Sequence, residues 1–279
     1  MYMDLLEQTK NLCKLYNIKP ARSRGQNFLI KEDVYDLIVE QADLQPDDMI
    51  LEVGPGLGFL TVKLAAKVKQ VIAVELDDKL AEVLKIGLKA KNVENVEVVN
   101  SDILKFPLPH FIRGGFKIVA NLPYNITSIF LRKFLEADKK PELIVLMLQK
   151  EVAERITAKP GKMSLLGVSA QFYAKQEIVE IVEKENFWPK PEVDSAIIKL
   201  EVRSKKLEIN EREFFRLVKF GFSAKRKMLK NNLAAGFKIS QAEAENKIIK
   251  AGFNGKARAQ ELSVDDWLKL FSVFNENML

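Results

Sequence analysis

From residue 49 to 202 the chain alternates short β-branched runs with amphipathic stretches of helical length, a rhythm that few folds accept. MILEVG (49–54), QVIAVEL (70–76), VEVVN (96–100), FKIVANL (116–122) and LIVLML (143–148) are almost continuously apolar rather than alternating. Strands buried on both faces have this pattern, because helices cover either side of a parallel sheet. Between them, DDKLAEVLKIGLKA (77–90) sets Leu80, Val83, Leu84 and Leu88 on one helical face, and TSIFLRKFLEA (127–137) begins at a Thr/Ser cap. EIVEIVE (177–183) and AIIKLEV (196–202) flank a proline-rich loop and read as an antiparallel pair closing one sheet edge. The predicted fold is α/β, a Rossmann-like doubly wound sheet.

Past residue 203 the strand signal stops. Phe214, Phe215, Leu217, Val218 and Phe222, then Met228, Leu229 and Leu233, then Ile248, Ile249, Trp267, Leu268 and Phe271 recur at helical spacing. Gly221, Gly236, Gly252 and Gly255 are the candidate breaks. A first domain over residues 1–203 and a smaller all-helical C-terminal domain over 204–279 are expected, the aromatic stripe forming the core of the second. Charge follows the same division. Arg203 to Arg258 holds 15 Lys and Arg against 5 Glu, while the whole chain is only +6, so the remainder is mildly acidic. A basic appendage on an acidic body is the footprint of a protein that docks on nucleic acid.

Several classes of chemistry are excluded by what the chain lacks. Its longest apolar run, Leu143 to Leu148, is far short of the roughly 20 residues that span a bilayer, and MYMDLLEQTK carries acids where a signal peptide carries bases. No membrane association and a cytoplasmic location are expected. Cys13 is the sole cysteine and His110, in PLPHF, the sole histidine, which rules out an internal disulfide and a Cys/His metal cluster. His110 reads as an exposed loop residue. Catalysis is expected to need neither a metal nor a histidine base, and the protein is expected to be a monomer.

Polar residues punctuate the ends of the predicted strands. LEVGPGLGFLT (51–61) places Glu52, Gly54, Gly56 and Gly58 in a strand-to-helix turn, where glycines let the backbone approach a ligand. A nicotinamide dinucleotide site would want its third glycine at position 59, which is Phe59. Glu75 ends the second strand, where its carboxylate can accept both hydrogens of a ribose diol. Asp102 ends the third, in NSDIL, and can accept from an adenine amine or cap the following turn. ANLPYN (120–125) ends the fourth. Pro123 fixes the backbone so that the Asn121 side-chain oxygen and the Leu122 carbonyl converge on one point. An exocyclic amine giving both hydrogens to them has its lone pair turned out of conjugation, and Tyr124 offers a flat platform for a base.

G-x-G-x-G after an acidic residue resembles the first motif of S-adenosylmethionine-dependent methyltransferases. Together, LEVGPGLGFLT, VELD, SDIL and NLPY resemble the ribosomal RNA adenine N6-dimethyltransferase family, which includes the erythromycin-resistance methylases and mitochondrial transcription-factor relatives. RGQNFL (24–29), LMLQKEVAERI (146–156) and FWPKPEVDSAIIKL (187–200) resemble further family blocks. FSAKRKMLKNNL (222–233) and RAQELS (258–263) resemble the small-subunit branch, with Lys-Arg-Lys-Met at 225–228 where the family usually has Arg-Arg-Lys-Thr.

The resemblance implies S-adenosyl-L-methionine as cofactor. It implies contacts from Gln26, Asn27 and Leu29 of an amino-terminal segment (1–30) that covers the cofactor. It places Gly54 at the methionine portion, Glu75 at the ribose, Asp102 at the adenine and Asn121 between cofactor and target, and it counts Gly56, Leu76 and Ile103 among the cofactor contacts. Asn121, Leu122, Tyr124 and Phe187 are the implied catalytic set, Phe187 covering the target base opposite Tyr124. Lys225, Arg226, Lys227 and Lys230 are the expected phosphate contacts. The implied reaction is N6,N6-dimethylation of two adjacent adenines in a 3′-terminal hairpin of small-subunit rRNA, with the small ribosomal subunit as partner. A non-catalytic ribosome-assembly or transcription factor, and an amine methyltransferase acting on DNA or a small metabolite, are the alternatives.

Overall fold

A computed structural model of the chain describes residues 3–20, 26–107, 115–122, 126–203 and 207–275. It divides into two compact units, Met1–Ala153 with Lys175–Arg203, and Glu154–Ala174 with Ser204–Leu279. Beyond the single division expected at 203/204, the second unit also takes in residues 154–174.

The first unit is built on a seven-stranded sheet. In chain order its strands are β2 (Met49–Val53), β3 (Gln70–Glu75), β4 (Val96–Asn100), β5 (Lys117–Asn121), β6 (Leu143–Gln149), β7 (Ala174–Val182) and β9 (Ser195–Val202), arranged β4-β3-β2-β5-β6-β9-β7. β2 to β6 pair in parallel, and β9 runs antiparallel to β6. The order reverses between β2 and β5, the switch point at which open α/β sheets bind ligands beyond the carboxyl ends of their strands. Four of the five expected parallel strands are buried along most of their length. VEVVN is the exception: β4 is the edge strand, half-exposed because it has a neighbour on one side only.

Two short strands lie outside the main sheet. β1 (Phe28–Leu29) pairs antiparallel with β8 (Phe187–Trp188), matching Phe28 to Trp188 and Leu29 to Phe187. α1 (Leu5–Leu15) precedes them in the chain, and α2 (Glu32–Gln41) follows β1. The Tyr35 hydroxyl of α2 donates to the Leu29 carbonyl at 3.1 Å. α3 (Phe59–Ala65) leaves the turn after β2, and α6 (Lys150–Ile156) continues directly from β6.

Helices meet the sheet through the faces their spacing specifies. α4 (Asp78–Ala90) buries Leu80, Ala81, Val83, Leu84 and Leu88, and starts where the Asp77 carboxylate accepts from the Lys79 and Leu80 amides. Cys13 and Ile18, at the end of α1, pack with Phe28 against its Leu80 and Val83. α5 (Thr127–Leu135) buries Phe130, Leu131, Phe134 and Leu135; truncating either phenylalanine to Ala would cost about 3–5 kcal/mol. Its cap differs from expectation. Thr127 is already helical and buried, and Ile126 stands at the N-cap with no side-chain bond. At the amino end of β5 the buried Lys117 is tethered to the Asp48 carboxylate at 2.8 Å and to the Asp43 carbonyl, as a desolvated ammonium requires.

In the second unit no strand occurs among the described residues 207–275, as expected. α7 (Leu165–Tyr173), α8 (Glu211–Gly221), α9 (Leu229–Phe237), α10 (Gln241–Lys250) and α11 (Val264–Asn275) enclose an aromatic core. Phe172 stacks on Phe214, and Phe214 meets Phe271 edge-on. The aromatic stripe is thus core. Of the expected breaks, Gly221 ends α8 and Gly252 follows α10 at φ +88°. Gly236 lies inside α9, which ends at Lys238 in the left-handed conformation instead.

Candidate active site

Strand register alone aligns the polar punctuation. Val53 opposes Val74 on one side and Ala120 on the other, and Val74 opposes Val99. The next row across the sheet therefore reads Asn121, Gly54, Glu75, Asn100, with neighbours about 5 Å apart. All four stand at the carboxyl edge. A cavity open to solvent is lined there by Gly54, Gly56, Glu75, Asn121 and Leu122. The amino-terminal segment supplies a further wall through Gln26, Asn27, Phe28 and Leu29.

The glycine turn is shaped by its φ angles. Gly54, Gly56 and Gly58 all have positive φ, at +67°, +57° and +83°. A Cβ on Gly56 would sit 3.3 Å from the Phe28 ring, so this glycine keeps the amino-terminal wall close to the turn. Glu75, buried, accepts from the Gly56 amide at 3.1 Å and from the Asp77 amide at 2.9 Å. Burial pushes its carboxyl above the ordinary range, and those two amides oppose the rise. Each carboxylate oxygen has a second lone pair, so Glu75 keeps the hydrogen-bonding capacity that the expected ribose role needs.

Among the acids of the site, Glu52 is the electrostatic anomaly. It lies mid-strand in β2, 1% exposed, on the cavity wall with Tyr35, and its Oε2 has no hydrogen-bond partner. Burial pushes its carboxyl up to about 8; the Thr61 hydroxyl works against the shift and the Glu75 charge adds to it. Thr61 and Glu52 nevertheless make no hydrogen bond of good geometry. A buried acid with an orphaned oxygen is costly unless a ligand completes it. A cationic group has the charge to do so.

Other expected residues stand elsewhere. Leu76 is 60% exposed, just past β3. Asp102 caps its own turn, its Oδ1 accepting from the Leu104 amide at 2.9 Å, and Ile103 is buried; neither lines the cavity. The two remain at the same edge, since the Ser101 amide donates to the Glu75 carbonyl. Phe187, expected over the target base, is 3% exposed and packs in the core with Leu29, Val182 and Ile197. Arg24, Gly25, His110, Pro123 and Tyr124 lie outside the described residues. Tyr35, Phe28 and Leu57 join the walls without having been singled out in sequence, as does Leu80, which was expected only on a packed helical face. Phe28 adjoins the motif residues Asn27 and Leu29, whereas Tyr35 carries no local signal. Among the described residues no group of three His, Cys, Asp or Glu is placed to hold a metal ion.

In the second unit Lys225, Arg226 and Lys227 are exposed on the turn between α8 and α9. The buried Asn232 side chain holds that turn, donating to the Gly221 carbonyl at 2.6 Å and the Ala224 carbonyl at 3.0 Å. Lys230 differs from the other three: it is paired with Glu245 at 2.8 Å. No helix among the described residues is long and apolar enough to cross a membrane.

Comparison with known proteins is consistent across sequence and structure. The family model described as ribosomal RNA adenine dimethylase matches residues 18–276. The ribosomal RNA small subunit methyltransferase A of Dehalococcoides mccartyi (strain 195) is 44% identical over 98% of this chain and 94% of its own length. That of Clostridioides difficile (strain 630) is 39% identical over 96% and 95%. A crystal structure of a dimethyladenosine transferase from Plasmodium falciparum superposes with a TM-score of 0.78 at 27% identity, covering 89% of this chain and 98% of that one. The 23S rRNA methyltransferase ErmE does so with a TM-score of 0.74 at 33% identity, covering 89% and 100%.

Proposed function

The chain belongs to the ribosomal RNA adenine dimethylase family, and from that premise we propose that it dimethylates the N6 amines of two adjacent adenines near the 3′ end of small-subunit rRNA. It is an S-adenosylmethionine-dependent rRNA methyltransferase. The observation that carries the reading is the row Asn121, Gly54, Glu75 along one sheet edge, walled on one side by the amino-terminal segment.

S-adenosylmethionine supplies a sulfonium methyl group, an electrophile needing no metal. The chain's residues bind and orient. Glu52 receives the cofactor's ammonium with its orphaned Oε2, while the positive-φ glycines leave room for the methionine portion. Glu75 takes the ribose hydroxyls with the lone pairs its two amide bonds leave over. Phe28 and Leu29 exclude water on the amino-terminal side. On the other side the Asn121 side-chain oxygen and the Leu122 carbonyl accept the two hydrogens of the target amine in the first transfer, and one of them accepts the single remaining hydrogen in the second. The amine is thereby pyramidalised and its lone pair directed into the cavity, a contribution of positioning rather than acid–base chemistry. Tyr124 supports the base, and a stacked adenine must be turned out of its helix to arrive there. Lys225, Arg226 and Lys227 hold the flanking phosphates.

Incubation with labelled S-adenosylmethionine and unmethylated small subunits, followed by mapping of the modified nucleotides, tests the assignment. Label in two adjacent adenines is the expected result; label in another nucleotide or in DNA would overturn the substrate. Subunit binding without any transfer would favour a non-catalytic assembly factor. Asn121→Ala should lower turnover on the order of 10²–10³-fold while cofactor affinity stays measurable.

A further inference from the structure

Lys133 lies on the helix that grows out of the Asn121 corner, half-buried rather than extended into solvent. Its ammonium donates to three main-chain carbonyls, those of Ile103 at 2.7 Å, Leu104 at 3.1 Å and Phe106 at 2.6 Å. An ammonium has three donors, and here all three are spent on one turn. A lysine bound to an exposed carboxylate would hold little structure, because such pairs contribute near zero. Three convergent carbonyls are different. They come from one short segment that no ladder pairs, and charge-assisted bonds to each fix the whole turn at once.

That turn is the one carrying Asp102. Its first residue is tied to β3, since the Ser101 amide donates to the Glu75 carbonyl at 2.9 Å. The Asp102 carbonyl accepts from the Lys105 and Phe106 amides, and its Oδ1 accepts from Leu104. The turn's inner side is anchored by buried Ile103 and Phe106. Internal bonds give the turn its shape, but its placement beyond the sheet depends on Ser101 at one end and on Lys133 at the other. Burial lowers the Lys133 pKa, while the nearby Asp102 carboxylate acts to keep the lysine charged. The carboxylate and the ammonium thus sense each other without a direct bond.

We propose that Lys133 is a positioning residue that sets the 101–106 turn so that Asp102 meets the adenine amine of the cofactor, joining the adenine subsite to the helix behind the Asn121 corner. This inference rests on reading the cavity as the S-adenosylmethionine site, with the adenine reaching past the cavity lining along the same sheet edge to the Asp102 turn. Its consequence is selectivity: loosening the turn should blunt discrimination for the adenine amine more than it weakens the rest of the site.

The test is calorimetric titration of the intact protein with S-adenosylhomocysteine and with S-inosylhomocysteine, which carries an oxo group in place of the amine. Wild-type protein should prefer the adenosyl ligand. Lys133→Met should bind it about tenfold more weakly and lose most of the preference, while Lys133→Arg should restore part of both. A change in overall stability alone would weaken both ligands equally and leave the ratio intact. Should the Met variant not fold, Lys133→Gln, which keeps two donors, carries the same comparison. An unchanged adenosyl-to-inosyl ratio in the folded variant overturns the inference and leaves the cofactor reading standing. Wild-type protein that binds neither ligand would overturn the cofactor reading, and this inference with it.

Discussion

Glu52 ties the pH behaviour of the free protein to that of its complex, with opposite signs. Its folded carboxyl titrates near 8, against 4.5 for an ordinary glutamate, so between those values the native state holds a proton that the unfolded chain has released. Stability of the free protein should therefore fall as pH rises through that window, by up to about 1.4 kcal/mol per pH unit. Glu52→Gln should flatten the slope, which denaturant melts at pH 5 and pH 8 would measure. Cofactor binding runs the other way. An ammonium beside Oε2 favours the ionised acid, so affinity should climb towards pH 8 and binding near pH 7 should expel a proton. Calorimetry in buffers of different ionisation enthalpy reads that proton directly, and the Gln variant should not release it. The acid was visible in sequence as a lone charge inside MILEV. Its surroundings were not, because Tyr35 and Thr61 come from two separate helices and only the fold brings them alongside.

Elements were legible in proportion to how strongly burial writes periodicity into them. β2, β3, β5 and β6 lie between neighbours on both sides, so their sequences are nearly all apolar, and α4 buries the face its spacing specifies. β1 and β8 are two residues each, too short for any period, and their pairing joins blocks far apart in the chain. That pairing sets Phe28 and Leu29 of RGQNFL beside Phe187 and Trp188 of FWPKPEV, although only the first block lines the cavity. It also explains the burial of Phe187, whose partner Leu29 belongs to the same core. Lys133 was illegible for a different reason, since its three partners are carbonyls, which every sequence has. The contact between Gly56 and Phe28 makes the coupling of turn and amino-terminal wall testable. Gly56→Ala meets both a φ of +57° and a ring at 3.3 Å, costing about 1–2 kcal/mol in backbone strain alone. The added methyl should displace Phe28 and lower cofactor affinity about tenfold, a shift that S-adenosylhomocysteine titration would detect. Unchanged affinity would mean that the amino-terminal segment does not close the site.

At the scale of the molecule, charge and chemistry are carried by different parts of the chain. The sheet unit holds every residue that lines the cavity, and the basic excess is concentrated between Arg203 and Arg258. Such a division lets a sequence-indifferent grip on phosphate accompany a selective pocket for one base. The basic face was visible in composition, but its pairings were not. Lys230 has already given its charge to Glu245, whereas Lys225, Arg226 and Lys227 stand exposed on a turn pinned by Asn232. These placements separate the two groups in a salt titration. Replacing Lys225, Arg226 and Lys227 with Gln should weaken binding to small-subunit rRNA and reduce the slope of log affinity against log salt by about 2–3, one counterion for each phosphate no longer neutralised. Lys230→Met should leave that slope nearly unchanged and cost stability instead, because it strands the Glu245 carboxylate. If the triple variant kept the wild-type slope, the phosphate contacts would have to lie on other bases, and the turn would be a surface feature without a part in docking.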